Sequence, residues 1–324
     1  MVRCKIIGIE YDEESIRAAK ILHTFKAENS ISIENIGEIK GNYKDAKNLS
    51  RDVQVLLNSL GLEKNDTIVS CLKGKYVHGV QVTVEHLPEE NVIAFLKRKL
   101  QKYYTFDLKR SRLDYQVIGR SSSKKSVDLM TAAVYGEKIQ NHLNLFQGLS
   151  VQTKIVDILP LVVANTYWIG KSTPKNDAAV MMVHVGLNES TVVIESNEKP
   201  FYYRRFKLAY KLCLSEDVSK VNLEKGGDQI CKELLNTITH YQKVYASLKI
   251  ESFTLLGYAI NNEIKEKIKN RTGLKLIKVN LLKRYGSGHK IEDGKYDVAI
   301  TLGLRDRRIK RELVKNEEIG FELD

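Results

Sequence analysis

Residues 8–17 of this chain read Gly8-Ile9-Glu10-Tyr11-Asp12-Glu13-Glu14-Ser15-Ile16-Arg17, directly after an apolar run that begins at Cys4. Two later segments also carry an apolar run into a turn that contains a glycine, Val183-His184-Val185-Gly186-Leu187-Asn188-Glu189-Ser190-Thr191 and Leu255-Leu256-Gly257-Tyr258-Ala259. Short apolar runs bounded by turn residues are typical of buried strands. The similar openings at residues 4 and 179 predict that the chain contains an internal duplication.

Predicted strands and helices alternate along the chain. The strands are predicted at residues 4–9, 31–39, 66–72, 77–84, 113–118, 127–134, 178–185, 191–195, 201–206 and 252–256. The helices are predicted at residues 45–60, 89–104, 136–148, 156–168, 228–248 and 263–272. This alternation favours an α/β architecture with a mostly parallel sheet in each of two lobes.

The length of 324 residues allows two lobes, each with its own hydrophobic core. We assign residues 1–176 to the first lobe and residues 177–324 to the second, with a linker at residues 171–177 that contains Pro174. The strands and helices between about residues 83 and 150 predict a small αβ unit that is inserted in the first lobe.

The composition is ordinary for a globular protein, with 43% hydrophobic and 28% charged residues. No apolar run reaches the ~20 residues that a membrane-spanning helix needs, and the N-terminus lacks the pattern of a secretory signal. The four cysteines have neither C-x-x-C nor disulfide-like spacing, which favours reduced thiols in a cytosol.

The charge balance is strongly basic, with 52 basic and 40 acidic residues and a net charge of +12. Such a field favours anionic partners: nucleic acid, an acidic protein surface or the inner leaflet of a membrane. The basic stretch from Lys97 to Arg110 is interleaved with aromatic residues, as nucleic-acid-binding surfaces are. Because Ile93, Leu96 and Leu100 form an apolar stripe there, we interpret the lysines as the solvated face of a helix and predict no nucleic-acid binding.

Several patterns that would carry catalysis or bind a metal are incomplete. Residues 165–172 approach the G-x-x-x-x-G-K-[ST] phosphate loop, but Asn165 replaces its first glycine. The seven histidines have no H-x-x-x-H spacing and no cysteines at zinc-finger distances, and there is no G-x-S-x-G nucleophile motif. We therefore predict no metal site and no catalytic residues.

A helix and the strand that follows it in the inserted unit resemble a known family. The helix ends in Tyr103-Tyr104-Thr105-Phe106, and the strand reads Leu113-Asp114-Tyr115-Gln116-Val117-Ile118-Gly119. Together with residues 68–74, 129–134, 197–205 and 298–304, these motifs resemble PilM, the cytoplasmic actin-like component of the type IV pilus inner-membrane platform. The resemblance implies a two-lobe actin-like fold, which is a duplicated ribonuclease H-like fold. It also implies a C-terminal helix at about residues 297–310 that returns to the first lobe.

The resemblance makes the three glycine-containing segments the loops of a nucleotide site. The implied cofactor-binding positions are Glu10, Asp12, Ser15, Gly186, Asn188, Ser190 and Gly257. Where the family has Asp-x-Gly-Ser-Ser-Ser, this chain has carboxylates at residues 12–14, and each would cost on the order of 4 kcal/mol at ~4 Å from a phosphate charge. His184 replaces a magnesium-holding aspartate, and Tyr258 narrows the adenosine loop. We therefore expect a pseudo-ATPase that is not an enzyme, with no cofactor; ATP with Mg²⁺ is the disfavoured alternative.

The implied function is that of a scaffold at the cytoplasmic face of the bacterial inner membrane. Its implied partner is a PilN-like bitopic membrane protein, whose short cytoplasmic tail would dock beside the inserted unit. Tyr103, Tyr104, Phe106, Asp114 and Tyr115 would line that groove, and the tail would add a strand or fill an aromatic pocket. Contacts with other platform or motor components, self-association, and membrane association through partners are also implied.

Other functions stay open beside this one. A type II secretion platform uses a similar cytoplasmic component, although such chains normally continue into a transmembrane helix. A nucleotide-gated ATP-binding assembly switch would need ATP to bind, and a sugar-kinase-like enzyme would need intact phosphate loops and a catalytic aspartate. A division protein resembling FtsA would carry an amphipathic membrane helix. A nucleic-acid binder would reveal itself by a steep salt dependence.

Overall fold

The computed structural model describes residues 2–25, 30–85, 87–88, 91–120, 126–170, 178–196, 199–209, 220–246, 248–257, 262–286 and 294–305. The strands are β1 (Val2–Tyr11), β2 (Ser15–Phe25), β3 (Ser30–Lys40), β4 (Thr67–Leu72), β5 (His78–Val84), β6 (Ser111–Arg120), β7 (Val127–Tyr135), β8 (Gln152–Ile158), β9 (Ala179–Val185), β10 (Glu189–Ser196), β11 (Lys199–Lys207), β12 (Ile250–Leu256) and β13 (Lys275–Leu276). The helices are α1 (Ala46–Ser59), α2 (Val92–Leu100), α3 (Gly136–Leu143), α4 (Leu159–Gly170), α5 (Lys220–Val244), α6 (Asn262–Thr272), α7 (Leu281–Tyr285) and α8 (Asp297–Gly303). The linker predicted at residues 171–177 and Tyr258 lie outside the described residues.

Two five-stranded sheets have the same topology. The first has the order β3-β2-β1-β4-β8 and the second the order β11-β10-β9-β12-β13. In each sheet the first three strands along the chain pair antiparallel, and the remaining two are added in parallel. The predicted duplication is therefore confirmed. The prediction of mostly parallel sheets was wrong. In each lobe only a few residues separate the first three strands along the chain, and so short a connection allows neighbouring strands to pair only antiparallel.

Helix α1 shows how local sequence signals position one layer of the first lobe. The Asp45 side chain caps its start by accepting the backbone N–H of Lys47 at 3.0 Å. The helix stops before Gly61, whose φ of +72° favours glycine. Helical spacing predicts that Val53, Leu56, Leu57 and Leu60 form its apolar stripe, and these residues are buried with Leu49 and pack on β1 and β2.

Two elements at the centre of the first lobe differ from the prediction. Strand β2 was missed, because its alternation is broken by Arg17 and Lys20, which are both buried. The helix predicted from residue 156 begins instead at Leu159, because Val156 and its neighbours continue β8. Pro160 then occupies the first turn of α4, where a missing N–H costs nothing.

The largest core cluster contains residues of α4, α7 and α8 and of strands from both five-stranded sheets. Helix α8 packs on β1 and β2 of the first sheet, and a Cβ at Gly8 would lie only 1.9 Å from the carbonyl oxygen of Ala299. The helix ends at Gly303, and Leu304 and Arg305 are not helical. The prediction that the helix continues to about residue 310 was therefore wrong for these two residues. Residues 306–310 lie outside the described residues.

The inserted unit is a three-stranded sheet of order β5-β7-β6, which α2 covers on one face. This sheet already includes His78, so it begins before the predicted insertion boundary at about residue 83. Strand β6 lies at one edge of it, and β8 lies at one edge of the first sheet. Within the described part of the chain, no helix has both the length and the apolar character to cross a membrane.

Candidate functional site

The first and second glycine-containing segments form two tight turns that face each other across the lobes. Nδ2 of Asn188, in the β9–β10 turn, donates to Oε2 of Glu13, in the β1–β2 turn, at 2.7 Å. In the β1–β2 turn, Oδ1 of Asp12 accepts the backbone N–H groups of Glu14 at 2.8 Å and Ser15 at 3.0 Å. These amides are the groups that a phosphate loop would point at its ligand. Here the protein's own carboxylate already occupies them.

Glu10 lies at the end of β1 and is bound by cations of the chain itself. Its side chain is 1% exposed, and Oε2 accepts Nζ of Lys73 at 2.6 Å. Arg17 lies 4.0 Å from Oε1 of Glu10 and donates to Oε1 of Glu38 at 2.9 Å. Burial by itself lowers the pKa of Lys73, but the Glu10 carboxylate, with Cys71 and Asp12, outweighs burial and raises that pKa overall. Lys73 is therefore a charged ammonium beside the carboxylate.

The second turn is closed by its own backbone. The N–H of Gly186 donates to the carbonyl oxygen of Glu189 at 3.0 Å, and a Cβ at Gly186 would lie 2.8 Å from that oxygen. The Ser190 side chain is completely buried. His184 is buried too, and burial, followed by Lys73, lowers the pKa of its imidazole to about 3. His184 is thus a neutral group where the resemblance implies a metal-binding carboxylate.

Gly257, from the third segment, holds β12 against β9. Its φ is +101°, and a Cβ there would lie 2.5 Å from the carbonyl oxygen of Val185. Only glycine fits this position without moving backbone. The three predicted loop segments therefore lie at neighbouring strand ends, while Tyr258 is outside the described residues.

Side chains of the second lobe also bridge to the first lobe and to the inserted unit. The Glu189 carboxylate accepts NH1 of Arg205 at 2.8 Å and lies so close to Gly74 that a Cβ there would be 2.7 Å from Oε1. The Tyr203 hydroxyl accepts the N–H of Gly79 at 3.2 Å. Hydrogen bonds of the protein itself thus cross the cleft between the two lobes.

A separate cavity of about 410 Å³ opens between the edge strands β6 and β8, and we call it the β6–β8 groove. Apolar side chains line it, among them Met130, Val134, Ile139, Ile155 and Leu161. Asp114 and Tyr115, two of the predicted partner-binding residues, line it as well.

The other predicted partner-binding residues lie elsewhere. Tyr104 and Phe106 belong to the core of the inserted unit, where the Tyr104 hydroxyl lies 2.9 Å from Oγ1 of Thr131. As core residues they do not line a surface groove, and the expectation that they would do so is corrected. The sequence did not separate them from Tyr103, which is 51% exposed, because the three residues lie where a helix gives way to irregular turns.

The sequence did not reveal the polar groups that complete the surroundings of Glu10 and the β6–β8 groove. Lys73 follows the buried strand β4 and is the counterion of Glu10, and Arg305 pairs with Oδ2 of Asp157 at 2.9 Å in the groove. The run of carboxylates at residues 12–14 was a signal that cations must lie nearby, but it did not say which ones.

Solved structures with a similar fold cover nearly the whole chain. A PilM-PilN type IV pilus biogenesis complex matches with a TM-score of 0.73 and 15% identity over 92% of this chain and 97% of that chain. A diol dehydratase-reactivating factor in nucleotide-free form matches with a TM-score of 0.51 and 7% identity over 93% and 99%. The ethanolamine utilization protein EutJ from Carboxydothermus hydrogenoformans matches with a TM-score of 0.50 and 8% identity over 94% and 90%. The predicted actin-like α/β fold is confirmed.

Sequence comparison identifies the family. No curated protein matches the chain. The family model described as type IV pilus assembly protein PilM matches residues 8–213, which include the end of β1, the inserted unit and the β9–β11 hairpins. This match spans more than half of the chain, and therefore the chain belongs to the type IV pilus assembly protein PilM family.

Proposed function

We propose that the chain is a scaffold of a type IV pilus inner-membrane platform and that its β6–β8 groove binds the short cytoplasmic tail of a PilN-like membrane protein. The observation that carries this proposal is an open groove with apolar walls between two sheet edges. The similarity to a PilM-PilN complex supports a partner of the same kind.

The two edges suit an extended peptide. An edge strand presents unpaired N–H and C=O groups, and an added strand satisfies them. Side chains on one face of the added strand would then enter the apolar part of the groove, near Met130, Ile139 and Leu161. A volume of about 410 Å³ accommodates a few side chains of a peptide, whereas a folded domain would need a broader surface.

Polar groups at the groove would set the position of the tail. Asp114 and Gln116 are exposed on β6. The Arg305 side chain is 25% exposed and forms an ion pair with Asp157. A guanidinium has five N–H donors, so Arg305 retains donors for a carbonyl or an acidic group of the tail. The tail that fits this groove is therefore an apolar segment with a hydrogen-bond acceptor near Arg305.

We further propose that this scaffold works without nucleotide hydrolysis and without bound ATP. Three features support this: Asp12 occupies the turn amides, Lys73 neutralises Glu10, and Asn188 donates a hydrogen bond to Glu13 across the cleft. An ammonium beside Glu10 supplies the positive charge that a Mg²⁺ ion would supply in a nucleotide site. A nucleotide-gated switch would have to displace these internal contacts.

The proposed location is the cytoplasmic face of the inner membrane, because the proposed partner is a membrane protein whose tail enters the cytoplasm. The family match favours the pilus over a type II secretion platform. Contacts with other platform or motor components, and self-association, belong to the same proposal.

The test is the binding of a fluorescent peptide that corresponds to the cytoplasmic tail of the PilN-like protein. Ala132→Trp fills the groove from β7 and should weaken binding more than tenfold, a loss of about 1.4 kcal/mol or more. Tyr115→Ala removes a residue that lines the groove and also packs against the core of the inserted unit, and it should weaken binding in the same direction. Equal affinity of the wild type and both variants would contradict the proposal.

Tyr103→Ala is the matched control, because it removes an exposed tyrosine of the same inserted unit outside the groove. Its peptide affinity should equal that of the wild type. Circular dichroism of all variants checks that the inserted unit stays folded, so a loss of binding reports the groove itself.

A further inference from the structure

We propose that an exposed basic surface of the inserted unit contacts the anionic headgroups of a lipid bilayer directly. This basic face consists of the exposed side chains of Arg98, Lys99, Lys102, Tyr103, Lys109 and Arg110. It lies at the C-terminal end of α2 and on the turns that follow it. The proposal rests on the proposed function only for its orientation relative to the membrane.

The basic face is built on a rigid support. The Gln101 side chain bridges the end of α2 to the next turn, donating to the carbonyl oxygen of Phe106 at 2.8 Å and accepting the N–H of Leu108 at 3.0 Å. Nζ of Lys97 donates to the carbonyl oxygen of Ser111 at 2.8 Å. These bonds hold two separate basic segments together, so their charges act on a partner jointly.

The cations of the basic face are not neutralised within the protein. Among the residues that the structure describes, none of the five cations of the basic face has a carboxylate within ion-pair distance, whereas Lys267 and Arg271 on α6 share Asp228. The nearby Asp107 uses Oδ1 to accept the backbone N–H of Lys109 at 2.8 Å. Five cations beside one carboxylate leave this surface with a net positive charge, which favours an anionic partner outside the chain.

The basic face also contains an aromatic residue of the kind found at membrane interfaces. Tyr103 is 51% exposed, and the ammonium of Lys102 lies 5.0 Å from the centre of its ring. Tyrosine prefers the headgroup level of a bilayer, and lysine reaches it with its apolar stem. The combination of clustered cations with one exposed tyrosine matches an anionic bilayer surface.

The position of the basic face favours lipid over other polyanions. Arg112, two residues after Arg110 of the basic face, lines the β6–β8 groove. A membrane-anchored tail in the groove would bring this side of the inserted unit close to the bilayer. Each Lys or Arg near an anionic surface contributes about 1 kcal/mol, so the cluster would reinforce the weak hold of a short tail.

The experiment is co-sedimentation of the full chain, without any tail peptide, with vesicles that contain phosphatidylglycerol and with vesicles of phosphatidylcholine alone. The wild type should bind only the anionic vesicles, and salt should weaken that binding. The triple variant Lys99→Glu, Lys102→Glu and Arg110→Glu should bind on the order of 100-fold more weakly. The control variant Lys232→Glu, Lys243→Glu and Lys249→Glu changes the net charge equally on exposed positions of the second lobe and should keep wild-type binding.

The outcomes separate this proposal from the proposed function. Ala132→Trp should lose the tail peptide and keep vesicle binding, while the basic-face triple variant should do the reverse. Absence of wild-type binding to anionic vesicles overturns the lipid proposal whatever the peptide does. Equal loss in both triple variants overturns it too, since net charge alone would then explain binding. Oligonucleotides that displace the vesicles and bind more tightly would reassign the basic face to nucleic acid.

Discussion

Nζ of Lys73 lies 2.6 Å from Oε2 of Glu10, a carboxylate that is 1% exposed at the end of β1. The two residues are 63 positions apart and meet because β4, which ends just before Lys73, pairs in parallel with β1. Glu10 is one of the residues at which the sequence predicted a nucleotide site, and its carboxylate is bound here by a cation of the chain itself.

Lys73→Met should destabilise the protein by about 3 kcal/mol, because it leaves the Glu10 carboxylate buried without its closest cation. Denaturant unfolding at neutral pH measures this loss. The double variant Glu10→Gln with Lys73→Met should recover part of it, since no buried charge then lacks a partner. If the stability lost in the double variant equalled the sum of the losses in Lys73→Met alone and Glu10→Gln alone, the pair would not be coupled.

ATP with Mg²⁺ should leave the melting temperature unchanged. A ligand at 100 times its Kd would stabilise the folded state by about 2.7 kcal/mol, which a thermal melt resolves easily. Calorimetric titration gives the same information without heating. A saturable binding heat that disappears in Gly186→Asp would show that nucleotide binds beside the Gly186 turn, and the scaffold would then be nucleotide-gated.

Acid should weaken the fold through His142, before most carboxylates titrate. Its ring lies 2.8 Å from the Tyr11 hydroxyl and 2.7 Å from Oγ of Ser70, and burial lowers its pKa to about 4. The unfolded chain binds this proton at about pH 6.5, so stability is complete above that pH and falls as the pH drops toward 4. The expected loss from this residue is about 3 kcal/mol.

His142→Gln tests that origin of the acid sensitivity. The variant should be less stable at neutral pH and lose less stability between pH 6.5 and 4, while exposed His240→Gln keeps the wild-type profile. His184, whose pKa burial lowers to about 3, contributes in the same direction and leaves part of the slope in place. An unchanged slope in His142→Gln would assign the acid sensitivity to other groups.

Gly8→Ala should cost about 3 kcal/mol or more, because its Cβ would lie 1.9 Å from the carbonyl oxygen of Ala299 and would push α8 away from β1. Gly136→Ala is the matched control, since its Cβ meets nothing closer than 3.6 Å and the residue opens a helix. Thermal melts of both variants measure the difference. Equal stability would mean that α8 does not depend on close contact with β1.

Local patterns in the sequence were enough for most of the individual elements. Helical spacing predicted α1 and its buried residues, and the apolar runs predicted β4, β9 and β12. The motif around Asp114 and Tyr115 led to the correct family and to two residues of the groove. Burial of Tyr104 and Phe106 was not predictable, because their surroundings are irregular turns without a period.

The sequence by itself determined the alternation of elements, the duplication, and the carboxylates and imidazole at the predicted loop positions, because these depend on residue type and spacing along the chain. Only the tertiary structure decided which charges pair: Arg17 with Glu38, Lys20 with Asp66 at 2.8 Å, and Lys73 with Glu10. It also brought the edges of β6 and β8 together as one groove. The ion pairs and the groove both depend on the pairing of strands that are distant in sequence. Local periodicity predicts which residues are buried, but it does not predict which strand pairs with which.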